Sequence, residues 1–232
     1  MNTEIEIPEE KPITPWGLPE IIYAIIGMIV ITGGMALAVQ FFDFKSNAIL
    51  IIYELLYLLP VVVVILIKKA PWETLGLRSF AFSELLVGVS ILFLAYIVIF
   101  LHNLALVAFG VAPQGEYIAE LFNLDINIWV LGIAVVIAAP IAEEIFFRSF
   151  VYAGLVEKFG WKKAVFISAL LFGAAHMQLV AFIPTFLMGL VLAYTYQRSK
   201  SVIPSIILHF TVNGFGFTML YLVMTFGGNI SL

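Results

Sequence analysis

The sequence contains no cysteine, only three histidines and few charged residues. Without cysteine, the chain has neither disulfides nor thiolate chemistry. Charged residues make up 11% of the chain against 63% hydrophobic residues, and the net charge of −4 gives no sign of nucleic-acid binding. A soluble domain of 232 residues could not bury so much apolar surface. The composition therefore predicts a polytopic membrane protein.

Apolar runs of membrane-spanning length recur along the chain and predict an all-α fold of about eight transmembrane helices. The expected spans are residues 21–42, 48–67, 84–109, 128–154, 161–177, 179–197, 202–213 and 214–228. A short interfacial helix is expected within 110–127. We therefore divide the chain into an N-terminal tail (1–20), a first transmembrane part (21–127) and a candidate catalytic core (128–232).

The basic residues predict the orientation of these spans, because cytoplasmic loops are enriched in lysine and arginine. If the N-terminus is cytoplasmic, only Lys45 falls in an outside loop. An even number of spans then places both termini in the cytoplasm, and the plasma membrane is the expected location. The residues that fall inside are Lys68, Lys69, Arg78, Lys158, Lys162, Lys163, Arg198 and Lys200.

Three short polar patches interrupt the apolar sequence in its second half. Ionisable residues are costly in a bilayer, so those that occur there usually face a protein interior or a water-filled cavity. We predict that the three patches meet at one intramembrane site. Their members are Glu143, Glu144 and Arg148, then Phe172 and His176, then His209 and Asn213.

The spacing around Gly160 supports this convergence. If Gly160 is the turn between two antiparallel helices, Glu143 lies 17 residues before it and His176 lies 16 residues after it. Equal rise per residue then brings both side chains to one level, roughly 25 Å from the turn. His209 and Asn213 are four residues apart, so both project from one side of the next helix.

The two glutamates are expected to do different work. Glu144 precedes Arg148 by four residues, which favours a structural ion pair on a helix. Glu143 lacks that partner and is a candidate general base for water, with His176 sharing the proton transfer or orienting the water. His209 and Asn213 are candidate donors to the oxyanion that forms when a carbonyl is attacked.

Simpler interpretations exist for each residue taken alone. A lone histidine on an apolar helix is more often a packed core residue, and Phe172 is expected to shape the wall of the site. Asn213 alone could be a helix-packing amide or a C-cap before Gly214. Glu54, His102 and Asn103 are further intramembrane polar groups, for which interhelical hydrogen bonds are the default expectation.

The three patches, written Glu143-Glu144-x-x-x-Arg148, Phe172-x-x-x-His176 and His209-x-x-x-Asn213, resemble the CPBP family in order and spacing. This is the CAAX protease and bacteriocin-processing family, also called Abi, which includes the Rce1-type intramembrane proteases. The resemblance covers roughly residues 128–226. It implies an eight-helix membrane fold whose conical cavity opens toward the cytosol and the bilayer.

The resemblance also implies hydrolysis of a peptide bond in a membrane-associated peptide or protein. It assigns Glu143 as the base, His176 as its partner, and His209 with Asn213 as the oxyanion donors. We expect no cofactor, because the chain lacks a His-Glu-x-x-His zinc motif. Zinc is disfavoured but not excluded, since Glu143, His176 and His209 could ligate it.

Two other functions compete with the protease. A catalytically silent scaffold or bacteriocin-immunity protein would bind a partner in the membrane, although the intact motifs weigh against it. A transporter or proton relay also uses buried Glu, His and Arg. The sequence shows no inverted repeat that would favour transport.

Overall fold

The regular structure of the chain is helical, as predicted. A computed structural model describes residues 14–41, 48–112 and 126–226, and within these ranges it contains no strand. Most of the range of the predicted interfacial helix (110–127), the turn around Lys45 and most of the N-terminal tail lie outside the described residues. The α-helices are α1 Leu18–Phe41, α2 Ile49–Leu56, α3 Leu59–Lys68, α4 Phe82–Ala108, α5 Ile128–Gly132, α6 Ala139–Glu144, α7 Ala153–Ala175, α8 Leu179–Ser199 and α9 Ile203–Phe226.

Shorter helical elements complete the architecture. A 3₁₀ turn, Trp72–Leu75, follows α3, and two π-helical stretches, Ile133–Ala138 and Ile145–Tyr152, lie on either side of α6. Five segments are long and apolar enough to cross a membrane, and α2 with α3, bent by 41° where they meet, make a sixth. The protein is therefore an integral membrane protein, although the count of eight spans is not confirmed within the described residues.

The longest of these segments, Ile128–Ala175, reverses direction at Gly160. Gly160 has φ 71° and ψ 161°, a backbone conformation that glycine adopts without steric penalty. On either side of it, Ser168 Oγ donates to the carbonyl of Phe147 at 2.9 Å, and the rings of Phe147 and Phe172 lie 5.2 Å apart. Phe147 lies 13 residues before Gly160 and Phe172 lies 12 residues after it, so their contact confirms the predicted antiparallel hairpin.

The end of the chain differs from the prediction. The expected seventh and eighth spans form one continuous helix, α9, so the predicted break at Gly214 is wrong. A Cβ added at Gly214 would lie 3.4 Å from Val136 Cγ1. Gly214 therefore allows α9 to approach the first π-helical stretch closely and does not terminate a helix. The predicted cytoplasmic C-terminus depended on that eighth span and loses this support.

Basic residues gather at one end of the helices. Lys68 at the end of α3 contacts Glu20 at the start of α1, with Nζ and Oε1 2.6 Å apart. Arg198 near the end of α8 contacts Glu84 at the start of α4, with Nε and Oε2 2.7 Å apart. These two pairs place the starts of α1 and α4 beside the ends of α3 and α8, as the distribution of basic residues predicts.

A close backbone contact between two helices gives a first testable prediction. A Cβ added at Gly189 in α8 would meet the Ala169 Cα of α7 at 2.9 Å. Gly189→Ala is therefore expected to separate the two helices and to destabilise the protein by about 1–3 kcal/mol. The check is the thermal unfolding midpoint in detergent. Gly216→Ala in α9 is the control, because nothing lies within 4 Å of its added Cβ, and an equal loss there would contradict the prediction.

Candidate active site

The segment that holds Glu143 and Glu144 is a short α-helix between two π-helical stretches. In a π-helix each N–H bonds to the carbonyl five residues earlier, so Pro140, which has no N–H, leaves the carbonyl of Val135 without that donor. Asn213 of α9 supplies a donor in its place: its Nδ2 donates to the Val135 oxygen at 2.9 Å. The amide of Asn213 thus fastens α9 to the segment that carries the glutamates.

Glu144 and Arg148 form the predicted ion pair in the protein interior. Both side chains are fully buried, and Arg148 Nε lies 3.0 Å from Glu144 Oε2. The relative orientation of these two atoms does not meet hydrogen-bond geometry, so the contact is ionic. The guanidinium carbon lies 4.3 Å from the centre of the Phe172 ring, a cation–π contact that helps to compensate for lost hydration.

His209 links the two glutamates. Its Nδ1 lies 3.0 Å from Glu144 Oε1, and its Nε2 lies 3.7 Å from Glu143 Oε2. A carboxylate only accepts, so Nδ1 carries the proton that bonds to Glu144. A donor role for Nε2, as predicted for an oxyanion site, therefore requires the imidazolium form of His209.

Glu143 and His176 line one cavity of about 120 Å³, which is large enough for several water molecules. The level that both residues were predicted to share is thereby confirmed. Glu143 keeps 17% of its side chain exposed, whereas Glu144 is wholly buried. The complete lining is Tyr53, Glu54, Tyr57, Glu143, Phe147, Ala175 and His176.

The ring of His176 is held by the backbone of its own helix. Its Nδ1 lies 2.9 Å from the carbonyl oxygen of Phe172, so Nδ1–H is the donor of this bond. In the neutral ring, Nε2 is then left with a lone pair that can accept a proton. The cavity therefore holds two proton acceptors, the carboxylate of Glu143 and the imidazole of His176.

A larger cavity of about 430 Å³ lies at the basic end and includes Arg78, Tyr152, Tyr196 and Lys200 in its lining. Partial burial lowers the pKa of Lys200. No residue of the three polar patches lines this cavity. The smaller cavity is therefore the better candidate for the chemistry, although it has less volume.

The structure brings most of the predicted residues together but not all of them. Glu144, Arg148, Phe172 and His209 form a buried network beside the cavity of Glu143 and His176, whereas Asn213 contacts Val135 one turn further along α9. The oxyanion role of Asn213 stays a prediction, and the interhelical hydrogen bond shows that it is a helix-packing amide.

Sequence reasoning missed the contribution of α2 and its C-terminal end to the cavity, which consists of Tyr53, Glu54 and Tyr57. An acidic residue between two tyrosines in an apolar span was the available signal. His102 and Asn103, which also had no assigned role, hydrogen-bond to each other in α4, with Nδ1 and Oδ1 3.3 Å apart.

The histidine and carboxylate side chains of the site are also the potential ligands of a metal ion. Within residues 14–41, 48–112 and 126–226, no three His, Asp or Glu side chains come together in a group that could hold a metal ion. Glu143, His176 and His209, the potential zinc ligands, do not form such a group. The expectation of a cofactor-free site stays a prediction.

Residues 124–215, which include all of the polar patches, match the model of a protein family described as type II CAAX prenyl endopeptidase Rce1-like. This stretch is similar to the Rce1-like family. The match begins just before α5 and ends within α9, so it includes Glu143, His176 and the buried network, whereas the residues that α2 and its C-terminal end contribute to the cavity lie outside it.

Two curated proteins are also similar to this chain. YdiL of Bacillus subtilis (strain 168), named as a candidate membrane peptidase, is 29% identical over 162 residues, which are 67% of this chain and 65% of YdiL. YxdF of Lactococcus lactis subsp. lactis (strain IL1403) is 31% identical over 99 residues, or 42% of this chain and 52% of YxdF. The matches thus span less than two thirds of either relative. No solved structure matches the chain.

Proposed function

We propose that this protein is an intramembrane endopeptidase that hydrolyses a peptide bond with a water molecule activated by Glu143. The observation that supports this most is the shared cavity of Glu143 and His176, in which two proton acceptors face a space of water-holding size. The similarity of residues 124–215 to the Rce1-like family supports the same reaction class. The mechanism requires no metal ion.

In the proposed reaction, Glu143 takes a proton from the water as the water oxygen attacks the scissile carbonyl carbon. His176 accepts a hydrogen bond from the same water through Nε2 and orients it. Glu144 and Arg148 do not react. Their buried pair holds the His209 ring at a fixed position next to Glu143.

The oxyanion that forms on the attacked carbonyl needs hydrogen-bond donors. His209 supplies Nε2–H when its ring is positively charged, and a carboxylate oxygen lies within 3.7 Å of each ring nitrogen. Asn213 is proposed to assist from one turn along α9. Its bond to Val135 uses one N–H of the amide, and the amide has a second N–H.

We further propose that the basic end faces the cytoplasm and that the protein lies in the plasma membrane. His209 follows Ile203, the first residue of α9, by only six residues, about 9 Å of helix. Because α9 begins beside the basic end, the site lies nearer to this side, in keeping with a cavity open toward the cytosol. The start of α1 also lies at the basic end of the helices. The proposed cytoplasmic location therefore applies to the N-terminus and not to the C-terminus.

The substrate is proposed to be a membrane-associated peptide or protein, because the cavity lies among apolar helices. The decisive experiment compares peptide termini in the membrane and medium of cells carrying wild-type protein or the Glu143→Ala variant. New termini that require Glu143 are the expected result. Identical termini, together with full biological complementation by Glu143→Ala, would contradict the peptidase and favour a silent scaffold or immunity protein.

A further inference from the structure

Glu54 is a third carboxyl group at the site, and the mechanism above gives it no task. It lies in α2, just before the break at Tyr57 and Leu58 where the chain bends into α3. Its side chain lines the same cavity of about 120 Å³ as Glu143 and His176. An ionisable side chain in a membrane span is energetically costly, so such a side chain usually serves a function.

The cavity has two chemically distinct walls. Glu143 comes from α6 and His176 follows the last residue of α7, whereas Tyr53 and Glu54 come from α2 and Tyr57 directly follows it. Helix α2 packs directly against α6 and the π-helical stretch before it. In the pose that we propose, a peptide bond lies between the walls with its carbonyl carbon toward the water on Glu143 and its nitrogen toward α2.

Resting on the peptidase function proposed above, we propose that Glu54 is a second catalytic carboxyl group, which protonates the leaving nitrogen. Amide hydrolysis needs such a donor, because the amine anion is too basic to leave without a proton. Glu54 is the carboxyl group on the α2 wall of the cavity. A phenol is a much weaker acid than a carboxylic acid, so Tyr53 and Tyr57 are poorer donors.

The proton balance of the two steps is complete. Glu143 removes one proton from water while the water oxygen bonds to the carbonyl carbon, and the π electrons of the carbonyl move to its oxygen. The carbonyl then re-forms, the carbon–nitrogen bond breaks with its electron pair on nitrogen, and nitrogen receives the proton of Glu54. Transfer of the proton from Glu143 to Glu54 through the cavity water restores both groups.

The starting state of this cycle has one proton shared by two carboxyl groups. Two carboxylates in one small cavity repel each other when both are ionised, so a single shared proton is the less costly arrangement. Glu54 and Glu143 both line this cavity of about 120 Å³. Glu144 differs, because Arg148 and His209 both neutralise its charge.

The test compares Glu54→Gln with wild-type protein on two probes that differ in one atom. The first probe is a farnesylated CAAX-type peptide with its normal amide at the scissile position, and the second carries a thioester there. A thiolate leaves without a proton, so only the amide needs Glu54. We expect Glu54→Gln to slow amide hydrolysis by about 10²-fold and thioester hydrolysis by less than about threefold.

Glu143→Gln and Tyr57→Phe complete the design. Glu143→Gln is expected to slow both probes, because both need an activated water, and Tyr57→Phe is expected to keep the wild-type ratio of the two rates. Equal losses on both probes for Glu54→Gln, or no loss on either, would overturn the role of Glu54 while leaving the peptidase intact. A wild-type protein that cleaves neither probe would overturn the peptidase for this substrate class and the role of Glu54 with it.

Discussion

Replacing Glu143 by glutamine is expected to lower the rate of peptide hydrolysis by about 10²–10⁴-fold, the usual contribution of a general base. Glutamine has nearly the same size and shape but does not take a proton from water. Because Glu143 is partly exposed to the cavity and its contact with His209 is long, at 3.7 Å, the free energy of unfolding should change little. Hydrolysis of a fluorogenic peptide and thermal unfolding, measured on the same purified protein, check both statements.

Glu157→Gln provides the matched control for this change. Glu157 lies on the exposed surface of α7, three residues before the turn at Gly160, and is remote from the cavity lining. Its replacement removes the same charge and should leave the rate at the wild-type value. A Glu143→Gln protein that retains more than about a tenth of the wild-type rate would exclude Glu143 as the base.

Arg148→Met is expected to have the largest effect on stability. The substitution removes the cation from a pair in which both side chains are fully buried, and it leaves the charge of Glu144 in the interior with only His209 beside it. Breaking such a pair costs about 3–5 kcal/mol. Since membrane-embedded folds, like soluble ones, have limited stability, a strong fall in the thermal unfolding midpoint should follow.

Two further variants separate charge from packing. Glu144→Leu combined with Arg148→Met removes both charges, so the unfolding midpoint should recover much of its wild-type value while hydrolysis stays low, because His209 loses its anchor. Arg198→Met breaks an Arg–Glu pair at the exposed basic end and should change the midpoint little. A double variant no more stable than Arg148→Met alone would show that the unpaired charge of Glu144 does not cause the loss of stability.

The sequence predicted the parts of the site that depend on chain distance. Gly160 gives a clear turn signal, and equal counts of residues on its two sides were enough to bring Glu143 and His176 to one level. The Glu144–Arg148 pair depended on a separation of four residues in one helix. Both predictions concern local geometry, in which backbone regularity decides the outcome.

Predictions that depended on interpreting single small or polar residues were less successful. Gly214 looked like a helix end, but inside a membrane a glycine in an apolar run is tolerated and often marks close helix contact. Asn213, next to it, contacts the backbone of Val135, which could not be foreseen without knowing that the helix before Pro140 is π-helical. The sequence placed Glu54 in a membrane span but did not predict that it lines the cavity. Residue spacing within α2 says nothing about which helix packs against it.

The two π-helical stretches on either side of α6 also affect how the motif could be reused in design. A helical wheel drawn at 100° per residue misplaces side chains on both sides of α6, because a π-helix turns through a smaller angle at each residue. Grafting Glu143, Glu144 and Arg148 onto an ideal α-helical scaffold would therefore preserve their spacing and still rotate the neighbouring side chains away from their partners. A transplanted site would need the wider turns and the outside donor to Val135 as well as the acidic and basic residues.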